Sequence, residues 1–223
     1  MTKALMAHRK FQRRYWDAEA RVTLGMTRFL ENSAWKETEI PLPPTTEDVI
    51  QAEIDELLAK QFNHTDREAR RHDIMEERFE VSPKFKRCLL FSAASHPRTC
   101  EIVTAMVITG RPIIFYFKDR FNRARPSQMF AEIEPMIDVP GHPAYPSGHS
   151  FQSHLIAHAL SDMAPLAREH MFAIAASVAE NREWAGLHYR SDSQEGRNLA
   201  HRLFPEIRSA FSELFEEARS EWV

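Results

Sequence analysis

Glycine is scarce in this sequence, with six glycines among 223 residues, where ordinary usage gives about sixteen. The loops that hold nucleotide phosphates in Walker-type and Rossmann-type proteins need clusters of glycine. Neither G-x-x-x-x-G-K-S/T nor G-x-G-x-x-G occurs here. Both nucleotide-binding classes are therefore excluded, and any phosphate must be held by another device.

Cysteine is scarce too, and neither sign of charge is in clear excess. Cys88 and Cys100 lack the spacing of a metal site, and the basic start of the chain shows no signal peptide. We therefore expect free thiols and a cytoplasmic protein. The 29 basic and 32 acidic residues give a net charge of −3, which disfavours a nucleic-acid partner. These features leave the oligomeric state open, a homo-oligomer included.

Long apolar runs are also missing. The most apolar stretch, 102–117, is broken by Arg111 and Pro112. Its uncharged part is shorter than the roughly 20 residues that cross a bilayer. We therefore expect no transmembrane segment.

What the sequence does contain is helical periodicity. Apolar residues recur at helical spacing along most of the chain, and no alternating stretch of strand type stands out. The charged stretch 64–78 has the composition of a solvated helix. We expect an all-α helical bundle. The predicted helices cover about 15–31, 45–61, 83–94, 97–117, 148–163, 165–184, 191–204 and 205–222.

The first segment with chemical character is basic. Between Arg111 and Pro126 there are five basic residues and one acidic residue, a local excess of positive charge in a chain of negative net charge. Lys118 and Arg125 are seven residues apart and share one face if a helix runs through them. The segment indicates a site for a small anion, with a solvated basic helix end as the alternative.

The second segment ends a proline-rich passage. Five of the thirteen prolines fall between residues 125 and 147, so this passage is not a continuous helix. Ser147 is the predicted N-cap of the next helix, whose free N–H groups can bind an anion. Gly148 allows close approach of the backbone, and His149 can transfer a proton beside that anion. An ordinary capped turn is the alternative.

The third segment combines Arg182, His188 and Asp192. If Asp192 accepts the Nδ1 proton of His188, Nε2 is left free and basic, which suits a nucleophile or a metal ligand. Sets of an arginine, a histidine and an aspartate are common, so this segment alone does not indicate a function.

The three segments together resemble the signature of the type 2 phosphatidic acid phosphatase and vanadium haloperoxidase superfamily. The pattern is Lys-x6-Arg-Pro, then Pro-Ser-Gly-His, then Arg-x5-His-x3-Asp, over residues 118–192. One departure is Asn181, where the family pattern usually has serine. The resemblance implies a helical bundle, with 1–223 as a single domain. It places the catalytic core at 96–204, after an N-terminal helical segment, 1–95, of unassigned role.

The resemblance also implies an anion clamp. Lys118, Arg125 and Arg182 would hold the oxygens of a phosphate or vanadate, and Ser147 and the Gly148 amide would add hydrogen bonds. Such fixed cations and N–H donors suit a trigonal bipyramid whose charge is spread over three oxygens.

Three further residues carry implied catalytic roles. His188 would be the nucleophile that forms a phosphohistidine, or the ligand of vanadium if vanadate is bound. His149 would protonate the leaving alcohol and then activate water, and Asp192 would orient His188. No divalent metal is required, because side chains supply the cations.

The leading hypothesis is a soluble, metal-independent phosphatase that acts on a small phosphate monoester without a cofactor. A vanadium-dependent haloperoxidase, which oxidises halide with hydrogen peroxide and needs vanadate, is the alternative. A non-catalytic phosphate-binding domain ranks last, because every chemical position is filled.

Some other side chains invite a functional interpretation. His154, His158 and Asp162 follow at i, i+4 spacing, but no further metal ligands are evident, so we expect packed histidines. The aromatic run 115–117 is expected in the core. Trp184 is left open between the pocket mouth and simple packing.

Overall fold

Helices make up the regular structure of this protein, seen in a computed structural model that describes residues 15–222. No strand occurs in these residues, and the expected all-α fold is confirmed. Residues 1–14, on which the prediction of no signal peptide rests, lie outside the described residues. The cytoplasmic location therefore stays a prediction.

The helices are numbered here in chain order. They are α1 Ala18–Glu31, α2 Glu47–Phe62, α3 His64–Ala69, α4 Arg71–Glu76, α5 Pro83–Leu89, α6 Pro97–Phe121, α7 Pro126–Met129, α8 Gly148–Met163, α9 Arg168–Trp184, α10 Arg190–Ala210 and α11 Ser212–Arg219.

Helix α8 lies at the centre and packs against α6, α9 and α10. Its apolar side chains, among them Phe151, Leu155, Ile156 and Leu160, are fully buried, as expected of a helix that neighbours surround on several sides. The three sequence motifs lie at the ends of these four helices. Packing α8 in the middle therefore brings the motifs to one end of the bundle.

Two prolines lie inside helices. Helix α6 continues through Pro112, and α10 continues through Pro205, where the sequence predicts a boundary between helices. That boundary was wrong. Pro205 cannot donate to the carbonyl four residues earlier, at His201, but His201 is exposed, so water can satisfy it. Buried Leu203 and Ile207 hold the helix to the core on the opposite side.

The apolar stretch Pro97–Met129 is long and apolar enough to cross a membrane by length and composition. In this structure 56% of its most apolar window is buried inside the protein, and Ile102, Met106 and Phe117 are fully enclosed. The core helix of a soluble protein and a membrane span both pass such a test. The absence of a transmembrane segment therefore stays a prediction.

The N-terminal segment packs on the rest of the chain from two sides. Helix α1 packs against α6 and α10, and α2, α4 and α5 pack against α9. Val22, Phe29 and Phe85 belong to the same hydrophobic cluster as residues of α6 and α8. The division at residue 95 stays a prediction, but these contacts place residues 74–81 beside the three motifs.

Candidate active site

Lys118 and Arg125 reach one site by a route other than a shared helix face. Helix α6 ends at Phe121, and Asn122 adopts a left-handed conformation with φ 46°. Arg125 therefore lies beyond the helix, on the chain that turns back toward the bundle. The prediction of one helical face was wrong, because the helix stops before Arg125.

Lys118 lies buried in the last turn of α6. Its Nζ donates to the carbonyls of Pro143 at 2.5 Å and Ala144 at 2.8 Å. Burial lowers the pKa of this amine well below its usual value, and the charge of Arg125 lowers it further. The ammonium group has three donors, so one remains for an anion.

Arg125 is a buried cation held by the proline-rich passage. Its guanidinium donates to the carbonyls of His142, Leu187 and Pro143 at 3.0, 2.9 and 3.3 Å. Nη1 also lies 3.1 Å from Nε2 of His188. Burial lowers the pKa of Arg125 to about 10, so the group is charged at neutral pH.

His188 and Asp192 form a buried pair. Nδ1 of His188 lies 3.0 Å from Oδ2 of Asp192, while Nε2 faces the Arg125 donor. Only the Nδ1–H tautomer satisfies both neighbours, so Nε2 carries the lone pair. Burial and the nearby cations lower the pKa of His188 well below its usual value. The imidazole is therefore neutral and nucleophilic.

Asp192 is the most enclosed acid of the site. It accepts hydrogen bonds from the Tyr189 amide at 3.0 Å and from Arg123 Nη1 at 2.6 Å. Burial raises the pKa of Asp192 to about 6, against the opposing effect of Arg123. The carboxyl group is therefore ionised at neutral pH and can orient His188.

The N-terminus of α8 forms another wall of the site. Ser147 is its N-cap, as predicted, and Ser147 Oγ accepts a hydrogen bond from the Ser150 amide at 3.4 Å. The Ser147 amide donates to the Asp192 carbonyl at 2.9 Å. A Cβ on Gly196 would lie 2.5 Å from the Ser147 carbonyl oxygen. Glycine at 196 therefore allows α10 to approach the N-terminus of α8 closely.

His149 is oriented by the main chain. Its Nε2 lies 2.8 Å from the Glu77 carbonyl, which can only accept, so Nε2 carries the proton. Nδ1 is left as the free nitrogen. Burial, together with the charge of Arg182, lowers the pKa of His149 to about 3.

Arg182 has both satisfied and unsatisfied donors. Nη2 donates to the Ile74 carbonyl at 3.0 Å and to the Glu77 carboxylate at 3.1 Å. Nε and Nη1 are buried and have no hydrogen-bond partner among residues 15–222. Leaving charged donors unpaired in the interior is costly. An anion bound beside Arg182 would satisfy both nitrogens.

These side chains surround a single cavity of ≈ 400 Å³. Ser147 and Asp192 lie fully buried behind its wall. The other six predicted site residues line it, namely Lys118, Arg125, Gly148, His149, Arg182 and His188.

Several residues of this site were not assigned a role from the sequence. The stretch 64–78 was expected to be solvated, but Glu77 is buried and its carboxylate contacts Arg182, Lys84 and Asn181. The expectation fails there because Glu77 pairs with Arg182, which lies 105 residues later in the chain. A local sequence pattern does not indicate such a contact. Asn181 suits this network, since its amide donates to Glu77 and its oxygen accepts from Arg70 at 2.9 Å.

Arg123 also supports the site unexpectedly. It links Asp192 to Glu53 of α2, with 2.8 Å between Nη2 and Oε2 of Glu53, and its guanidinium lies over the Tyr189 ring. His142 lines the cavity, with Nδ1 3.1 Å from Nη2 of Arg125. The only sequence signal was their position in or beside the first two motifs.

The other histidine candidates are engaged elsewhere. His154 donates from Nδ1 to the Ser150 carbonyl at 2.7 Å, and His158 stacks on Phe204. Asp162 is paired with Arg208 and Arg219.

The aromatic candidates separate into two groups. Phe117 is buried in the core as expected, and Trp184 packs with Ile74 and Leu187. Phe115, however, lines the cavity and is 49% exposed. The core expectation was wrong for Phe115, because α6 turns this side chain toward the cavity mouth. It was also wrong for Tyr116, which is 36% exposed.

Comparisons with known proteins agree with this geometry. A transmembrane PAP2 type phosphatidylglycerolphosphate phosphatase from Bacillus subtilis has a similar fold, with a TM-score of 0.54 and 19% identity over 86% of this chain and 96% of that one. No curated protein matches in sequence. The family model of the PAP2 superfamily matches residues 98–205. That span contains all eight predicted site residues, so the family-model match, together with the similar fold, supports the assignment to the PAP2 superfamily that the motifs predicted.

Proposed function

We propose that this protein is a metal-independent phosphatase that hydrolyses phosphate monoesters through a phosphohistidine on His188. The PAP2 superfamily match and the fold support phosphatase chemistry. The observation that carries the proposal is the pair of unpartnered buried donors on Arg182, a residue that lines the same cavity as His188.

The cavity can hold a phosphate by charge alone. Lys118, Arg125 and Arg182 each contribute a buried or nearly buried cation, and the N-terminus of α8 adds N–H groups. Phosphoryl transfer spreads negative charge over the equatorial oxygens, and donors held in place stabilise that charge without reorganising. The residues therefore supply what a bound metal ion supplies in other phosphatases.

The first step is attack by His188. In the free protein its Nε2 accepts from Arg125 Nη1. A phosphate oxygen is a stronger acceptor for this guanidinium, so substrate binding draws the donor away and frees the lone pair. The P–N bond forms while the bond from phosphorus to the leaving oxygen breaks. Asp192 stabilises the positive charge that develops on the ring.

His149 transfers the protons in the proposed mechanism. Burial and the nearby cations lower the pKa of His149 in the free protein. The negative charge of a bound phosphate raises that pKa, so Nδ1 can carry a proton and give it to the leaving oxygen. The same nitrogen then takes a proton from water. That water attacks phosphorus, the P–N bond breaks, and phosphate leaves with His188 restored.

Trapping the intermediate tests this proposal. Brief exposure to a ³²P-labelled aryl phosphate is expected to leave label that survives alkali and is lost in acid, as for a phosphohistidine. His188→Ala should remove both label and turnover, while His170→Ala, which changes an exposed histidine on α9, should keep both. A chelator should leave the rate unchanged. Full hydrolysis by His188→Ala would refute the proposal.

The haloperoxidase alternative can be tested on the same proteins. The cationic residues around His188 also fit vanadate, which would supply the peroxide chemistry when bound. If the protein is a phosphatase, vanadate inhibits hydrolysis and gives no brominated product with bromide and peroxide. Bromination that His188→Ala abolishes would favour the alternative.

We also propose that the enzyme acts on a small substrate without spanning a membrane. More than half of the apolar window of α6 is enclosed by its own protein, and the helix packs against α1, α8 and α11. After cell lysis the full chain is expected in the soluble fraction. Retention in membranes after an alkaline wash would contradict this.

A further inference from the structure

The cavity has more lining than a phosphate alone would contact. Besides the cations, its lining includes the apolar residues Val81, Val107, Ile114, Phe115 and Pro140. A volume of ≈ 400 Å³ lies within the range of pockets that hold whole organic ligands. Aromatic surface left open beside a reaction centre offers contact to an apolar leaving group.

Arg111 is an exposed cation among the residues that line this cavity. It lines the same cavity from α6, two helical turns before Lys118, which places it about 10 Å along the axis from that residue. Arg111 is exposed and makes no hydrogen bond or ion pair within the described part of the chain. By contrast Arg78, which also lines the cavity, is paired with Asp138.

We infer that the leaving group is apolar or aromatic and carries a second anionic group, which Arg111 binds. The phosphate would occupy the cationic floor, the apolar part would lie against Phe115 and Val107, and the second anion would reach Arg111. A planar guanidinium with free donors suits a carboxylate or a second phosphate. The inference rests on the proposed function, since it names the substrate class for that reaction.

Binding of phosphonates tests the inference separately from catalysis, because their C–P bond resists hydrolysis. The series is methylphosphonate, benzylphosphonate and 4-carboxybenzylphosphonate, with dissociation constants measured by calorimetry on the full chain. Adding the ring is expected to tighten binding about tenfold through apolar contact. Adding the carboxylate is expected to tighten it about fivefold more, the effect of one partly exposed ion pair.

Two arginine variants test whether Arg111 causes the gain in affinity that the carboxylate gives. Arg111→Gln should remove the preference for the carboxylate and leave the affinity for benzylphosphonate unchanged. Arg120→Gln is the matched control, because Arg120 is exposed on the same helix and does not line the cavity. It should keep the full preference. Raising the salt concentration should reduce the gain from the carboxylate and leave the gain from the ring unchanged.

The outcomes separate the inference from the proposed function. No gain from the carboxylate in the unaltered protein, or a gain that survives in Arg111→Gln, overturns the inference even if aryl phosphates are hydrolysed. An Arg111-dependent gain supports it, even if no phosphate ester is turned over. In that last case only the proposed phosphatase function fails.

Discussion

The two histidines of the cavity are the buried His188 and the half-buried His149. Loss of contact with water lowers the pKa of each, but they are held differently. The Asp192 carboxylate holds His188 at Nδ1, whereas the Glu77 carbonyl holds His149 at Nε2. A carboxylate stabilises positive charge on the ring, as a nucleophile forming a P–N bond requires. A neutral carbonyl orients the ring and leaves its proton easy to release, as an acid requires.

Asp192→Asn should have the largest effect, because it removes the carboxylate that distinguishes His188 from His149. Asparagine cannot stabilise the charged ring and can favour the wrong tautomer of His188, so kcat is expected to fall about 10³- to 10⁴-fold. Steady-state hydrolysis of phenyl phosphate measures the loss. Arg123→Lys serves as a comparison, because it keeps a positive charge beside an intact Asp192 and should cost much less. Similar losses in both variants would contradict a special role for the carboxylate.

His149→Ala should be costly only where the leaving group needs a proton. For an alkyl phosphate the loss in kcat is expected to be about 10²- to 10⁴-fold, the usual contribution of a general acid. For p-nitrophenyl phosphate, whose leaving group is stable as an anion, formation of the phosphoenzyme should slow far less. Burst kinetics on the two esters measure this step, and equal losses would argue against an acid at this position.

Glu77→Ala tests whether the Glu77 carboxylate stabilises the part of the site that contains His149 and Arg182. Removing the carboxylate leaves the buried Arg182 guanidinium without its ionic partner and the Asn181 amide without its acceptor, so the free energy of unfolding is expected to drop by about 3 kcal/mol. Urea denaturation measures it. Glu68→Ala is the control, because Glu68 pairs with Arg71 on the surface and should change stability by less than about 1 kcal/mol. A Glu77→Ala protein as stable as this control would contradict the structural role.

The pH profile gives the smallest but most specific effect. With a pKa of about 6, Asp192 takes up a proton as the pH falls through this value. It then no longer orients His188, so kcat/KM, which reports the free enzyme, should fall about tenfold per pH unit below 6. The substrate also ionises near pH 6, but its contribution remains in Asp192→Asn. On the acid side, the pH profile of the wild type should therefore be steeper than that of Asp192→Asn. Equal slopes in the two proteins would contradict the prediction.

The predictions made from the sequence succeeded where the deciding contacts are local. The helical spacing gave the fold class, and Ser147 is the N-cap because a serine before a helix satisfies free amides near it in sequence. They failed where the chain turns or meets a distant partner. Lys118 and Arg125 share a cavity without sharing a helix, and Phe115 faces that cavity instead of the core.

The identity and order of the proposed site residues were therefore determined by the sequence, since Lys118, Arg125, His149, Arg182 and His188 lie in short motifs with strict spacing. Tertiary structure alone decided which nitrogen of each histidine is free and which donors of Arg182 stay unpaired. It also decided that Arg111 lines the cavity together with apolar side chains. Those properties depend on carbonyls, carboxylates and water exclusion brought together from positions up to about a hundred residues apart, where burial makes each contact strong.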